Sequence, residues 1–140
     1  MAALGMQPHP EGGHYVEIHR SAGLTSIFFL LGAGEISRWH RVRDADEAWH
    51  FYEGAPLELL TAGAGFARVD RHSLGPVDGD RRPVFVVPGG VWQAARTTGG
   101  YTLVGCSVGP AFDFAQFEML RDDEDAAREA RRRPDAAAFV

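Results

Sequence analysis

The feature that most constrains this chain is its punctuation. Through the first 110 residues, apolar or alternating runs of four to eight residues are cut by glycine and proline at short intervals. His14–His19, Thr25–Leu31, Ile36–His40, Ala48–Tyr52, Leu57–Thr61, Gly65–Asp70, Pro83–Val87, Val91–Arg96 and Tyr101–Val108 read as strands, rich in Val, Ile, Phe, Tyr, Trp or Thr. Gly12-Gly13, Gly32-Ala-Gly34, Gly63-Ala-Gly65, Asp78-Gly79, Pro88-Gly89-Gly90 and Gly99-Gly100 supply the turns. Strands this frequent, with no helical period between them, predict a β-sandwich or barrel. After Phe112, Phe114 and Phe117 the pattern changes to a charged run, Arg121 to Arg133, with acids first and arginines last, the order a helix dipole favours. A solvated terminal helix ending before Pro134 is expected there, its arginine triplet in solvent.

Composition removes whole chemistries. The 14 cationic side chains are all arginine, so Schiff-base and phosphate-loop lysine chemistry is excluded. The single cysteine, Cys106, excludes an intrachain disulfide, a thiolate zinc cage and a Cys-x-x-Cys pair, and its apolar strand predicts a buried, unreactive thiol. A formal net charge of −5 argues against nucleic-acid binding. No apolar run approaches the roughly 20 residues of a membrane helix, and Met1 to Pro10 lacks the features of a signal peptide, so a cytoplasmic protein is expected. The 140 residues suit one domain, with a core over about residues 7–120 and a helical tail over 121–140.

Two segments carry a more specific signal. Gly34, five residues, His40, a residue and Val42, four residues, Glu47, six residues and Gly54 form the first; Pro88, a residue, Gly90, two residues and Gln93 form the second. Together they resemble the two signature motifs of the cupin superfamily. With His9-Pro-Glu-Gly-Gly13, Ser37-Arg-Trp-His-Arg41, Asp46-Glu-Ala-Trp-His50, Val87-Pro-Gly-Gly-Val-Trp-Gln93 and Gly105-Cys-Ser-Val-Gly-Pro110, the chain is similar to a branch of small cupins whose relatives include the metal-free dTDP-4-keto-6-deoxy-sugar epimerases. The resemblance spans about residues 7 to 120 and implies an all-β jelly-roll barrel, or double-stranded β-helix, with a short C-terminal helix. It also implies a homodimer, in which Glu11, Tyr15 and Glu17 at the chain start line the partner's pocket mouth. Where many cupins hold a metal on three histidines and a glutamate, Val42 and Gln93 replace two of the histidines. What remains is His40, Glu47 and Gln93, and an amide oxygen is a weak ligand for divalent iron, manganese or zinc. The expectation is therefore a site without a cofactor; a divalent metal, if held, would sit on those three.

Strand alternation then distributes the candidates. Arg38, His40 and Val42 are expected on one face of their strand and Trp39 and Arg41 on the other; Glu47, Trp49 and Phe51 form a second inward set, with His50 and Tyr52 opposite. Two readings of His40 stand: a catalytic base oriented by Glu47, or a core histidine held by that carboxylate. Glu47 inside a barrel needs a partner, and His40 and Arg38 are the natural ones, which would raise the His40 pKa. Trp49, Phe51 and Trp92 read as core or pocket wall, His50 as pocket lining or an interface, and Gln93 as an amide that orients a ligand.

Three functions follow. The first is a metal-independent isomerase, epimerase or cyclase that takes a proton from carbon beside a carbonyl, on a sugar-like or secondary metabolite. His40 would be the base, Glu47 its orienter, Gln93 or Arg38 the oxyanion donor, and Tyr101 or Tyr15 the proton donor. Arg38, Trp49, His50, Phe51, Gln93 and Glu17 would bind the ligand in the barrel cavity. The second is a non-catalytic metabolite-binding module. The third is a metal enzyme using His40, Glu47 and Gln93.

Overall fold

A computed structural model describes residues 4–140. These residues form eleven strands and one α-helix: β1 (Gln7–Pro8), β2 (His14–Arg20), β3 (Thr25–Gly32), β4 (Ile36–Val42), β5 (Asp46–Gly54), β6 (Leu57–Ala62), β7 (Val69–Leu74), β8 (Val84–Val87), β9 (Trp92–Thr97), β10 (Tyr101–Gly109), β11 (Phe117–Met119) and α1 (Glu124–Arg131). The strands form two antiparallel sheets, one ordered β1-β2-β3-β10-β5-β8 and the other β11-β4-β9-β6-β7. Facing each other, they make the jelly roll expected from the alternating runs. Most expected strands match to within a residue or two. The exception is Gly65–Asp70. Its first part is a 3-10 turn, Ala64–Phe66, and the strand begins at Val69, because the run lacks alternation until there.

The space between the sheets differs along its length. At one end Phe29, Leu31, Leu57, Leu59, Leu74, Val87 and Val104 pack into an apolar cluster around Trp49. At the other end the same strands turn Thr25, Ile27, Glu47, Cys106 and Val108 inward around a cavity. β4 does not alternate throughout. Its pairing with β9 slips between Ser37 and His40, opposite Ala95 and Gln93, so one extra residue bulges and both Ser37 and His40 are buried. This corrects the expected face of Arg38: within the bulge its N–H donates to the Glu11 carbonyl at 2.7 Å rather than to β9.

The outer face of the five-stranded sheet is covered by the C-terminal tail, contrary to the expectation of a solvated helix. Ala127 and Ala130 of α1, with Leu120, Ala136 and Phe139, are buried against Trp39, Leu60, Phe66 and Trp92. Trp39 Nε1 donates to the Ala136 carbonyl at 2.9 Å, pinning the tail down. Each large apolar side chain covered this way contributes roughly 1.5–3 kcal/mol. The Asp123 carboxylate caps α1 by accepting from the Ala126 N–H. Arg133 pairs with Asp135 at 2.9 Å and donates to the Ala67 carbonyl, so it is a structural arginine rather than a free one. No helix among the described residues is long and apolar enough to cross a membrane.

Candidate functional site

The cavity measures about 290 Å³ and opens at the end of the barrel where β2, β3 and β10 meet the segment before β11. Its floor is a buried cluster of charge. Glu11 enters from the loop between β1 and β2, and Gly12-Gly13 let it do so. Both glycines have positive φ; a Cβ on Gly12 would collide with the Ile36 carbonyl, and one on Gly13 would lie 2.7 Å from the Leu30 carbonyl. The His-Pro-Glu-Gly-Gly segment thus seats a carboxylate beside β4.

Glu11 Oε2 lies 2.5 Å from His40 Nε2 and accepts from the Ser37 hydroxyl at 2.9 Å. His40 Nδ1 lies 2.7 Å from the Arg38 carbonyl. A carbonyl only accepts, so Nδ1 carries a proton; an ionised Glu11 requires a second on Nε2. Both demands are met by an imidazolium. Burial opposes that charge, but the charge and hydrogen bond of Glu11, followed by the charge of Glu47, hold the His40 pKa at about 9. Burial also works against the Glu11 carboxylate, yet His40 and the Ser37 hydroxyl keep its pKa below the usual range. The sequence-based expectation that pairing raises His40 has the right sign and the wrong partner: the contact is Glu11.

Glu47 stands differently. Burial pushes its carboxyl up; the His40 charge pulls it down, the Glu11 charge pushes again, and the balance lies at about 7. Gln93 Nε2 donates to Glu47 Oε1 at 2.9 Å, while Gln93 Oε1 accepts from Trp49 Nε1 at 2.7 Å. The indole therefore dictates which end of the amide meets the carboxyl. The Cys106 thiol hydrogen-bonds Glu47 as well, and burial pushes its own pKa well up, which keeps it a thiol. His9, behind Glu11, is kept neutral chiefly by burial, and its ring meets Tyr15 edge-on at 4.6 Å.

The walls are aromatic. Phe112, Phe114 and Phe117 pack edge-to-face, and Phe117 stacks on His40 with ring centroids 5.5 Å apart. β11 is held in place by Arg41 and Arg43 of the β4 end, whose guanidinium groups reach Glu118 at 2.7 and 2.8 Å. The mouth is bordered by Tyr15, Glu17 and Arg20 of β2, with Gln7 of β1.

His40 and Glu47 line the cavity, as expected, and Glu17 lies at its mouth. Glu11, Tyr15 and Glu17 line this chain's own cavity, which corrects their placement across a dimer. Gln93 and Trp49 are buried behind Glu47 and reach it only through the amide. Phe51 packs against the apolar cluster, and His50, on the opposite face of β5, does not line the cavity; neither does the Arg38 side chain. Tyr101 starts β10, five residues from Cys106, which at about 3.3 Å per residue puts it some ~16 Å away toward the other end of the barrel. Sequence reading overlooked His9 and Phe117 and misplaced Glu11. A Gly pair directly after Glu11 was the available sign that its backbone is pressed against another strand.

The three inherited metal positions do not make a ligand set. Gln93 turns its NH2 to Glu47 and gives its only donor atom for a metal to Trp49. His40 Nε2 is turned to Glu11, and Val42 lies in an apolar cluster with Ala45, Val108, Phe112 and Phe117. Among the described residues no three His, Cys, Asp or Glu side chains converge as metal ligands.

The family model described as Cupin superfamily (DUF985) matches residues 1–120. This chain is a cupin. Similar cupin-fold structures include a hypothetical protein from Leishmania major, 30% identical with a TM-score of 0.77, covering 84% of this chain and 82% of that one. A protein from Shewanella oneidensis is 35% identical with a TM-score of 0.77, covering 83% of this cupin and 78% of that chain. KdgF from Halomonas sp. shares the fold at 18% identity and a TM-score of 0.59, covering 79% of this chain and 91% of its own. No curated protein matches the sequence.

Proposed function

We propose that this cupin binds a small carbonyl compound and moves a proton at the adjacent carbon without a metal, as an isomerase or epimerase does. Glu47, rather than His40, is the group that takes the proton. One observation carries this reading: Glu47 is a buried carboxyl that lines the cavity beside the His40 charge, where burial lifts it to about 7. A general acid–base group works best with its pKa near the operating pH, because it then both accepts and donates readily. His40, at about 9 and salt-bridged to Glu11, is already protonated at neutral pH and has no lone pair to offer. Its positive charge instead favours an ionised Glu47 and attracts a developing enolate. Of the two tyrosines considered as proton donors, Tyr15 lines the cavity and takes that role. Cys106 and Gln93 hold the Glu47 carboxyl in one orientation.

The test is solvent-deuterium incorporation at the α-carbon of a cyclic ketone, followed by NMR. Glu47→Gln should abolish it, while His40 keeps its proton. Exchange that survives this substitution would show that Glu47 is not the base. A second reading, binding without turnover, is favoured by one feature: Glu11, His40 and Gln93 are all satisfied within the protein, so the floor is built without a substrate. Ligand binding with no exchange in the wild type would establish it.

A further inference from the structure

The charge of the ligand is legible in how the cavity spends its hydrogen bonds. Two cations face it, His40 and Arg20. His40 has both ring nitrogens engaged, by Glu11 and by the Arg38 carbonyl, and Phe117 covers its face. Arg20 sits at the mouth. Its Nε and Nη2 donate to Glu17 Oε1 at 3.0 and 2.6 Å, and its Nη1 donates to the Phe112 carbonyl at 3.0 Å. Three of its five N–H groups are therefore committed, and the Nε–Nη2 edge that would grip a carboxylate or phosphate bidentately is occupied by a carboxylate of the protein itself.

The acceptors are in the opposite condition. Glu17 meets Arg20 through Oε1 alone, so its Oε2 has no protein partner among these contacts, and Glu47, held by Gln93 and the Cys106 thiol, still lines the cavity as an acceptor. Three carboxyl groups (Glu11, Glu17 and Glu47) face the cavity against two cations. Much of the remaining wall is Phe112, Phe114 and Phe117, beside Ile27 and Val108, and the phenylalanine ring faces favour apolar or cationic groups and repel anions.

We infer that this cavity takes a small carbonyl compound with no anionic group, either neutral or bearing an ammonium, and rejects its carboxylate or phosphate counterpart. The inference rests on the site proposed above and names the class of substrate that fits it. A nucleotide-linked sugar whose phosphates enter the cavity is excluded by the same reasoning. The volume of about 290 Å³ accommodates a single six-membered ring with one substituent.

Three probes on one skeleton isolate charge from shape: cyclohexanone, 4-aminocyclohexanone and 4-oxocyclohexanecarboxylate. Their dissociation constants are measured at pH 7 by NMR titration of the wild type and of Glu17→Gln. In the wild type the neutral and ammonium ketones should bind, and the carboxylate should bind at least about tenfold more weakly. Glu17→Gln frees Arg20, so the carboxylate should recover most of that loss. Equal binding of the carboxylate to the wild type would overturn the inference, as would no binding by any of the three, or a carboxylate affinity indifferent to Glu17→Gln. The readout needs no turnover. Lost exchange with the charge preference intact would therefore remove the isomerase reading and leave this one standing.

Discussion

The two ends of the barrel interior are built from the same strands. β3 contributes Thr25 and Ile27 to one end, Phe29 and Leu31 to the other; β10 contributes Cys106 and Val108 to one, Val104 to the other; β5 offers Glu47 to one, Phe51 to the other. The apolar end closes because its side chains lose nothing on leaving water. The charged end cannot close in that way. Glu11, His40 and Glu47 are tolerated only because each is given partners, and that network surrounds a space instead of filling it. One end is held by area and the other by pairing, and the two should respond differently to substitution and to pH.

The largest effect expected is on chemistry. Glu47→Gln should lower α-proton exchange by about 10²–10⁴-fold, the usual worth of a general acid–base group, with little change in thermal midpoint. Leu59→Ala, at the apolar end, should leave residual exchange measurable although the fold is weakened. Equal loss of exchange in both variants would mean that the ends are not functionally distinct.

Next come the two kinds of stability. Glu11→Ala removes the counter-ion of the buried His40, which must then hold an unpaired charge or give up its proton, and should cost about 3–5 kcal/mol in urea denaturation at pH 7. In this variant the His40 ring titration, followed by NMR, should fall from about 9 to below its ordinary 6.5, because burial is then opposed chiefly by Glu47 alone. Leu59→Ala should cost about 2–5 kcal/mol through the cavity it leaves, by an amount that does not vary with pH. A pH-independent penalty for Glu11→Ala would break the comparison.

The pH dependence of the wild type is smaller and has a definite sign. Between 6.5 and about 9 the folded chain keeps a His40 proton that the unfolded chain has released, so stability falls as pH rises. Between 4.5 and about 7 the raised Glu47 acts in the same direction. Glu11, lowered below 4.5, acts oppositely, and its contribution is lost as pH falls through its folded value. His9 and His72, both lowered by burial, act against Glu47 below 6.5, so the clear decline lies from pH 6.5 toward pH 9, by at most about 1.4 kcal/mol per pH unit for each proton. Denaturation midpoints that stay level from pH 6.5 to 9 would contradict the ion-paired floor.

The smallest effect concerns the outside. The five-stranded sheet is covered by the chain's own tail, whereas the six-stranded sheet turns Ser26, Phe28 and Leu30 of β3, Ala48 and His50 of β5, Val84 and Val86 of β8 and Gly105 and Ser107 of β10 outward, with Asp46 at the start of β5 at the edge of this face. A face with so little charge suits a partner of the same kind, and a second copy of this chain offers one. The homodimer is thus proposed on this sheet. Light scattering should give twice the 15.3 kDa chain mass, and Val86→Asp should halve it without altering exchange. A wild-type monomer at micromolar concentration would remove the proposal.

What could be read in advance divides along the same line. Fold, strand positions and the two motifs were legible because alternation and glycine placement are local properties, as was the inward position of His40 and Glu47. The bulge at Arg38 was not, since an extra residue in β4 is visible only against its register with β9. Nor was the partner of His40: Glu11 lies far away in sequence, and the Gly pair after it signals a close backbone approach without naming the strand it meets.

The sequence by itself determined an all-β barrel of the cupin type, an acid–base inventory without lysine or a thiolate pair, and a motif set missing two of its histidines. Tertiary structure alone decided which carboxylate became a counter-ion and which a titrating group. Glu11 and Glu47 are the same residue type, both buried beside His40. Direct contact with the imidazolium and the Ser37 hydroxyl holds one ionised, while burial and the neighbouring charge of Glu11 lift the other to about 7. A pKa is set by distances between charges and by the water excluded around them, and neither quantity exists until the chain has closed.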